Sequence, residues 1–430
     1  MANLLTTPTL VESPIIILRV GDYTFGSYRG SALEGAYSSR TKTVFPNYMK
    51  SIRIVKTNGV INQYTIAMEY AIAFGDDPNL LDKIFSKVGF GGKIYITYGD
   101  CASPSFVYKE EEAIITKITT TMDFSGSKIN YTISATGTSY QACARRFSFP
   151  ARNAKPSDII KWLLYNREYG LLEIFSGMKD RAAVERFGLI MADDRVVKLE
   201  AKKSVTVLEY LNFLVNCMQS TSDTGSGIIR HSKYYLVVMD EVGGDFNGSY
   251  FKIRKASTDN AQVLPYDAFE VDVGYPSDNM VMAFNVTTDQ NYLILYNYEG
   301  GTQTGDYVYK INNEGEMVKE YSQSLTTSRN LQYTTAQEAN WWTKVTQFPI
   351  QATMTIKGLI RPSMLMQKVQ VNVLFYGKRH TSSGLYAITR QEDIVDGSGY
   401  RTTLTLLREG DITQKNNNEQ PVQQVGSKLA

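Results

Sequence analysis

Apolar residues recur at every second position over most of this chain, which is the signature of half-buried strands. Ile15, Ile16, Ile17 and Leu18 open the first candidate after Pro14, and a Gly/Ser-rich loop follows over residues 21–47. Ile52 and Ile54 share one face. Beyond the NGVIN turn, Tyr64, Ile66, Met68, Tyr70 and Ile72 keep period two over a long strand. Asp77 as N-cap, Pro78 at the first helical position, and Leu81, Ile84, Phe85 and Val88 at helical spacing predict a short amphipathic helix against that sheet. Strands resume with Ile94, Ile96 and Tyr98. A hairpin over residues 112–137 then carries Ile114, Ile118, Tyr131, Ile133 and Ala135 as its apolar set. Residues 1–138 therefore read as a first β domain with one short helix.

The pattern then changes period. Pro156 with Ile159, Ile160, Trp162, Leu163 and Leu164 predicts one helix, and Val207, Leu208, Leu211, Leu214, Val215 and Met218 predict another. Strands follow from Lys233 and Tyr250, so residues 139–265 read as a smaller α+β domain entered through the basic loop ARRFSFPARNAKP. Alternation returns over 269–298 and again from 347, with Ala352, Met354 and Ile356 on one face, then Val369, Val371, Val373 and Phe375, then Tyr386 and Ile388, and last Tyr400, Leu404 and Leu406. Between them, residues 299–346 are rich in Gly, Gln, Thr, Ser and Asn. We read a second β domain, 266–298 and 347–408, split by an insertion at 299–346 and followed by a polar tail at 409–430 that is expected to be mobile in isolation.

Two stretches share a grammar. EAIITKITTTMDFSGSKINYTISATG and GLYAITRQEDIVDGSGYRTTLTLLREG both run from an Ile-Thr-basic strand through a Gly/Ser turn to a Thr-rich alternating strand. Ile115-Thr116-Lys117 aligns with Ile388-Thr389-Arg390, and Tyr131-Thr132-Ile133 with Thr402-Thr403-Leu404, with turns differing by about one residue. Any two half-buried hairpins share such features, but here each closes a β domain of similar size.

The block from Phe348 to Asp411 resembles the final strands of baseplate or tail hub proteins of contractile-tailed bacteriophages and related injection systems. Gly384, Tyr386, Ile388, Gly399, Tyr400, Thr403 and Leu404 carry the resemblance, and the stretch RPSMLMQK departs from the usual Pro-Gly loop. What it implies is a mainly β chain with two tube-type β-barrel domains, the second split by an insertion, flanking the α+β part. It also implies a homotrimer whose paired barrels make a sixfold ring between the tail tube protein and a threefold central spike protein. Other baseplate proteins would be partners, DNA would pass only transiently through the lumen, and the protein would sit in the virion tail after assembly in the host cytoplasm.

Charge and composition agree with that picture without demanding it. Forty-five Lys and Arg against 43 Asp and Glu leave a net charge of +2, too little for a field that draws the chain onto nucleic acid. Three cysteines, Cys101, Cys143 and Cys217, are odd in number and follow no CxxC spacing, so neither a disulfide framework nor a zinc site is expected. The N-terminal stretch lacks the pattern of a cleaved signal, and no apolar run reaches the roughly 20 residues of a membrane span. No membrane anchor is expected.

Candidate chemistry is sparse. Only His231 and His380 are available to pair with a cysteine nucleophile. Glu110, Glu111 and Glu112, and Asp76 and Asp77, are the acidic clusters a glycoside hydrolase would draw on; the first reads better as a solvated strand edge and the second as a helix cap. GFGGK at 89–93 lacks the helix of a phosphate loop and reads as a turn. Arg145, Arg146, Arg152 and Lys155, interleaved with Phe147 and Phe149, have the make-up of a nucleic-acid contact, against the plainer reading of a solvated linker or subunit contact. No catalytic, cofactor-binding or metal residue is expected. The leading function is a structural tail hub, ahead of a tail-associated cell-wall hydrolase or another β-rich ring such as a distal tail protein.

Overall fold

The computed structural model describes residues 9–10, 14–26, 43–45, 48–89, 91–100, 107–169, 194, 196–218, 234–243, 246–255, 263–273, 281–288, 299–302, 305–311, 317–322, 350–360, 365, 368–376, 378–380 and 382–408. The chain is mainly β, as the alternation predicts. After a stub, β1 (Thr9–Leu10), come β2 (Pro14–Val20), β3 (Tyr23–Gly26), β4 (Thr43–Phe45), β5 (Met49–Thr57), β6 (Val60–Ala71), β7 (Lys93–Asp100), β8 (Val107–Asp123) and β9 (Lys128–Gly137). Their spatial order is β4-β3-β2-β7-β8-β9-β6-β5, antiparallel except for the parallel pair β3 and β4.

Residues at period two point into one core that takes Ile16 and Leu18 from β2, Ile52 and Ile54 from β5, and Tyr64, Ile66, Ile96 and Ile133 from between them. α1 (Leu80–Val88) closes that core with Leu81, Ile84 and Phe85, each such burial contributing about 1.5–3 kcal/mol. The helix begins later than the sequence pattern predicts. Asp77 does not cap it: its carboxylate accepts from the Asn79 backbone N–H at 3.0 Å and from Lys83 at 2.6 Å, a local turn that holds Pro78 outside the helix.

The middle segment contains β10 (Arg146–Phe149), β11 (Arg152–Ala154), α2 (Pro156–Tyr165), β12 (Val197–Leu199), β13 (Lys202–Thr206), α3 (Val207–Cys217), β14 (Tyr234–Gly243) and β15 (Phe246–Lys255). Thr206 and Glu209 form a reciprocal capping box at the start of α3. Ile160, Leu163 and Leu164 of α2 meet Tyr210, Leu211 and Leu214 of α3 in a second core, which Phe149, Leu236 and Ile253 complete. Trp162, expected in the apolar set of α2, is exposed instead. β14 and β15 form a hairpin, and Val242 opposite Glu110 ties it to β8, so this part adds strands to the large sheet.

The remaining strands are β16 (Val263–Val273), β17 (Val281–Thr288), β18 (Glu299–Thr302), β19 (Gly305–Ile311), β20 (Met317–Ser322), β21 (Ile350–Lys357), β22 (Leu359–Ile360), β23 (Lys368–Phe375), β24 (Lys378–Arg379), β25 (Gly384–Asp396) and β26 (Gly399–Arg408). β16 crosses the boundary expected at residue 265. The stretch expected as an insertion holds a small antiparallel sheet of β18, β19 and β20. The strand expected over 291–298 and the tail at 409–430 lie outside the described residues. β22 pairs with β1, and the main order is β17-β21-β26-β25-β23-β16 around Met354, Val371, Ile388 and Leu404.

Taken in chain order, β2, β5, β6, β7, β8 and β9 of the first run correspond to β16, β17, β21, β23, β25 and β26 of the second. The neighbours are the same in both. One orientation differs: β2 is antiparallel to β7, whereas β16 is parallel to β23.

Candidate functional site

The two runs meet along a seam built by one hairpin. The first half of β25 pairs with β23 of its own run, Lys368 opposite Ala387, and the second half leaves that partner and pairs with β5 of the first run, from Thr57 opposite Arg390 to Ile52 opposite Val395. The change of partner follows a β-bulge between Ile388 and Arg390, which bends the strand. Tyr386, Ile388, Leu404 and Leu406 at the root belong to the second core, while Val395 and Tyr400 at the tip enter the first. The hairpin of β25 and β26 thus serves both cores.

Under this pairing lies a buried polar cluster. The Glu111 carboxylate accepts from Lys56 Nζ at 2.6 Å and from the hydroxyls of Tyr98 and Tyr64, each at 2.7 Å. Lys56 is 1% exposed and Glu111 0%, so the expectation of a solvated edge fails for Glu111. The reason is period two: Glu111 alternates with the inward-facing Ala113 and Ile115, whereas Glu110 and Glu112 point the other way, toward Arg19 and Lys93. On the second run, Asp393 accepts from Thr402 Oγ1 at 2.6 Å, Gln391 Nε2 at 2.8 Å and Tyr400 OH at 3.2 Å. The rings of Tyr98 and Tyr400 meet edge to face at 5.9 Å and join the halves. Burial, reinforced by Glu111, pushes the Tyr98 phenol well above its ordinary pKa, and burial with Asp393 does the same to Tyr400.

Each carboxylate takes its three donors from its own run, so the two clusters stiffen the facing surfaces while the Tyr98–Tyr400 contact and the β5–β25 pairing join them. At the rim, Glu392 bridges Arg53 at 2.7 Å and Arg390 at 2.8 Å; with Arg53 52% exposed, such contacts contribute about 0–1 kcal/mol. Gly358 donates its backbone N–H to the Tyr400 carbonyl, and a Cβ there would stand 2.1 Å from the Tyr400 ring. On the other side of β5, the Gly59 turn is held by Asn212 of α3 and by the Leu236 carbonyl of β14, so all three parts of the chain converge on β5 and its turn. Lys56, Gln391, Asp393 and Thr402 carried no sequence signal as a group. Reading their alternation with Ile54, Val395 and Leu404 would have placed them inward.

The other candidates stay apart. Asp77 keeps to Lys83 and Asn79, away from the Glu111 cluster. Cys143 and Cys217 are buried in the middle core, while His380 bonds Ser382 on the second run; Cys101 and His231 lie outside the described residues. Among the described residues, no group of three His, Cys, Asp or Glu is placed to hold a metal ion, and no helix is long and apolar enough to cross a membrane. Gly89 and Gly91, both at positive φ, lie just before Lys93, the first residue of β7. The basic stretch expected as a linker is a pair of strands: Arg146 donates to the Ser204 carbonyl, Arg152 lies over Trp162, and Phe149 stacks on Tyr210 at 3.6 Å. Phe149 lies in the middle core, and the half-buried Phe147 packs against it.

This fold has been seen before in a chain of distant sequence. The 43 kDa tail protein of prophage MuSo2 from Shewanella oneidensis superimposes with a TM-score of 0.50 at 12% identity, covering 92% of this chain and 97% of that one. The tail protein from Neisseria meningitidis MC58 gives 0.48 at 10% identity over 93% and 98% of the two chains. A chain of the Francisella PdpA–VgrG complex gives 0.49 at 11% identity, covering 97% of this chain and 54% of that one. No protein family and no curated protein matches the sequence.

Proposed function

We propose that this chain, whose fold is that of a phage tail protein, is a structural hub of a tail or baseplate. In this reading three chains form a ring that adapts a sixfold tail tube to a threefold central spike and leaves a channel for DNA. The observation that carries it is the doubled strand order within one chain, joined side by side through β5 and β25. Three chains, each offering two similar units around an axis, give six quasi-equivalent positions; a closed ring requires each unit to present like edges to its neighbours. The buried polar clusters at the seam support a rigid, non-enzymatic role, since each carboxylate is held by three hydrogen-bond donors of its own run. The tail tube protein, the spike protein and other baseplate proteins are the partners, and the virion tail is the location. Antibody labelling of intact particles tests this: label at the distal end of the tube is expected, and label on the head or along the tube shaft contradicts it.

A further inference from the structure

The seam is a contact that the chain makes once and has the parts to make twice. The hairpins correspond residue by residue: Lys93 opposite Ile114 matches Lys368 opposite Ala387, and the bulge between Ile115 and Lys117 matches that between Ile388 and Arg390. Beyond its bulge, β25 pairs with β5. Beyond its own bulge, β8 continues to Asp123 with its outer edge unpaired by any strand among the described residues, and its residues 119–122 are exposed. The counterpart of β5 is β17, since Ile52 opposite Ile66 matches Phe284 opposite Met354. β17 pairs with β21 on one side, and among the described residues no strand takes the other.

Each edge carries exposed apolar side chains. Met122 is 56% exposed and Phe124 87%; on β17, Met282 is 61% exposed and Val286 37%. Carrying the register of Ile52 opposite Val395 onto the matching strands sets Met122 opposite Phe284 and Thr120 opposite Val286, and one step further brings Phe124 beside Met282. Unpaired strand edges with exposed apolar side chains are templates for strand addition.

We propose that the ring closes by strand addition between copies, residues 118–122 of β8 pairing antiparallel with β17 of a second copy in this register. The contact reproduces between chains what β25 and β5 make within one, and it rests on the ring reading above. The antiparallel pair brings facing Cα atoms within disulfide reach. The full-length Thr120→Cys/Val286→Cys variant, concentrated and mildly oxidised, should give a crosslinked trimer on non-reducing gels. Thr119→Cys/Val286→Cys, one residue out of register with its side chain on the other face, should give none. Light scattering on the same reduced samples reads the ring independently. A trimer in which the Thr120→Cys/Val286→Cys variant fails to crosslink, or in which both variants crosslink equally, overturns this pairing and leaves the ring standing; absence of any trimer overturns both.

Discussion

Thr116 and Thr389 occupy the same place in two hairpins that are far apart in sequence. Each is the extra residue of a β-bulge, and each donates its Oγ1 hydrogen to a carbonyl of the partner strand, Ser134 at 3.1 Å and Thr405 at 3.2 Å. A bulge bends its strand at a chosen point, and at Thr389 the bend is where β25 leaves its own run for β5. Replacing Thr389 with Val should therefore cost about 1 kcal/mol in denaturant unfolding, the loss of one part-buried hydrogen bond. Thr116→Val, at an exposed site, should cost less.

The pair Lys56 and Glu111 gives a sharper test. Removing one member strands the other in the core, so Lys56→Met alone should destabilise by about 3–5 kcal/mol, while Lys56→Met with Glu111→Leu should recover much of that loss. A double-mutant cycle by chemical denaturation measures it. Additive costs would mean that the pair is not coupled.

Gly358→Ala probes the seam from its far side. The new Cβ would press on the Tyr400 ring, which sits in the first core, so the substitution should cost about 1–3 kcal/mol through displaced packing. Thermal unfolding reads the loss. Pairing it with Tyr400→Phe should leave the cost in place, because the clash is with the ring and not the hydroxyl.

Alkali should loosen the same region. Burial, with Asp82 nearby, pushes the Tyr131 phenol from 10.0 to about 12, and Tyr98 and Tyr400 are raised as well. A phenol whose pKa is higher folded than unfolded contributes stability that is whole below the unfolded value and is lost as pH rises through the folded one. Stability should thus hold up to about pH 10 and fall between there and about 12. Tyrosine ionisation followed by ultraviolet absorbance should show these phenols titrating late and together with unfolding.

Much of this was legible in the sequence because period two is a direct record of the pleat. The alternation from Tyr64 to Tyr70, the helix at Leu81 to Val88, and the alignment of Ile115-Thr116-Lys117 with Ile388-Thr389-Arg390 all correspond to observed elements. The turns of the two hairpins proved two residues different in length, four between Asp123 and Lys128 against two between Asp396 and Gly399. What was hidden depends on pairing across long separations. Glu111 looks like one of three solvated acids until its face is assigned, and its partner Lys56 lies on a strand with no local sign of a buried charge. Likewise nothing near Val395 announces that it packs into a core formed by residues several hundred positions earlier. Asp77 misled because the side chain that makes a good cap also makes a good turn.

In the ring reading, doubled strand order within one chain converts threefold into sixfold geometry. Electron cryomicroscopy of the purified full-length protein, averaged without imposed symmetry, tests this most directly. The expected particle is an assembly of three times the 48.3 kDa chain mass, a threefold ring about a central channel, with six sheet units of similar outline alternating between the first and second runs. A particle of any other order, or a threefold particle in which only one of the two runs faces the axis, would contradict it.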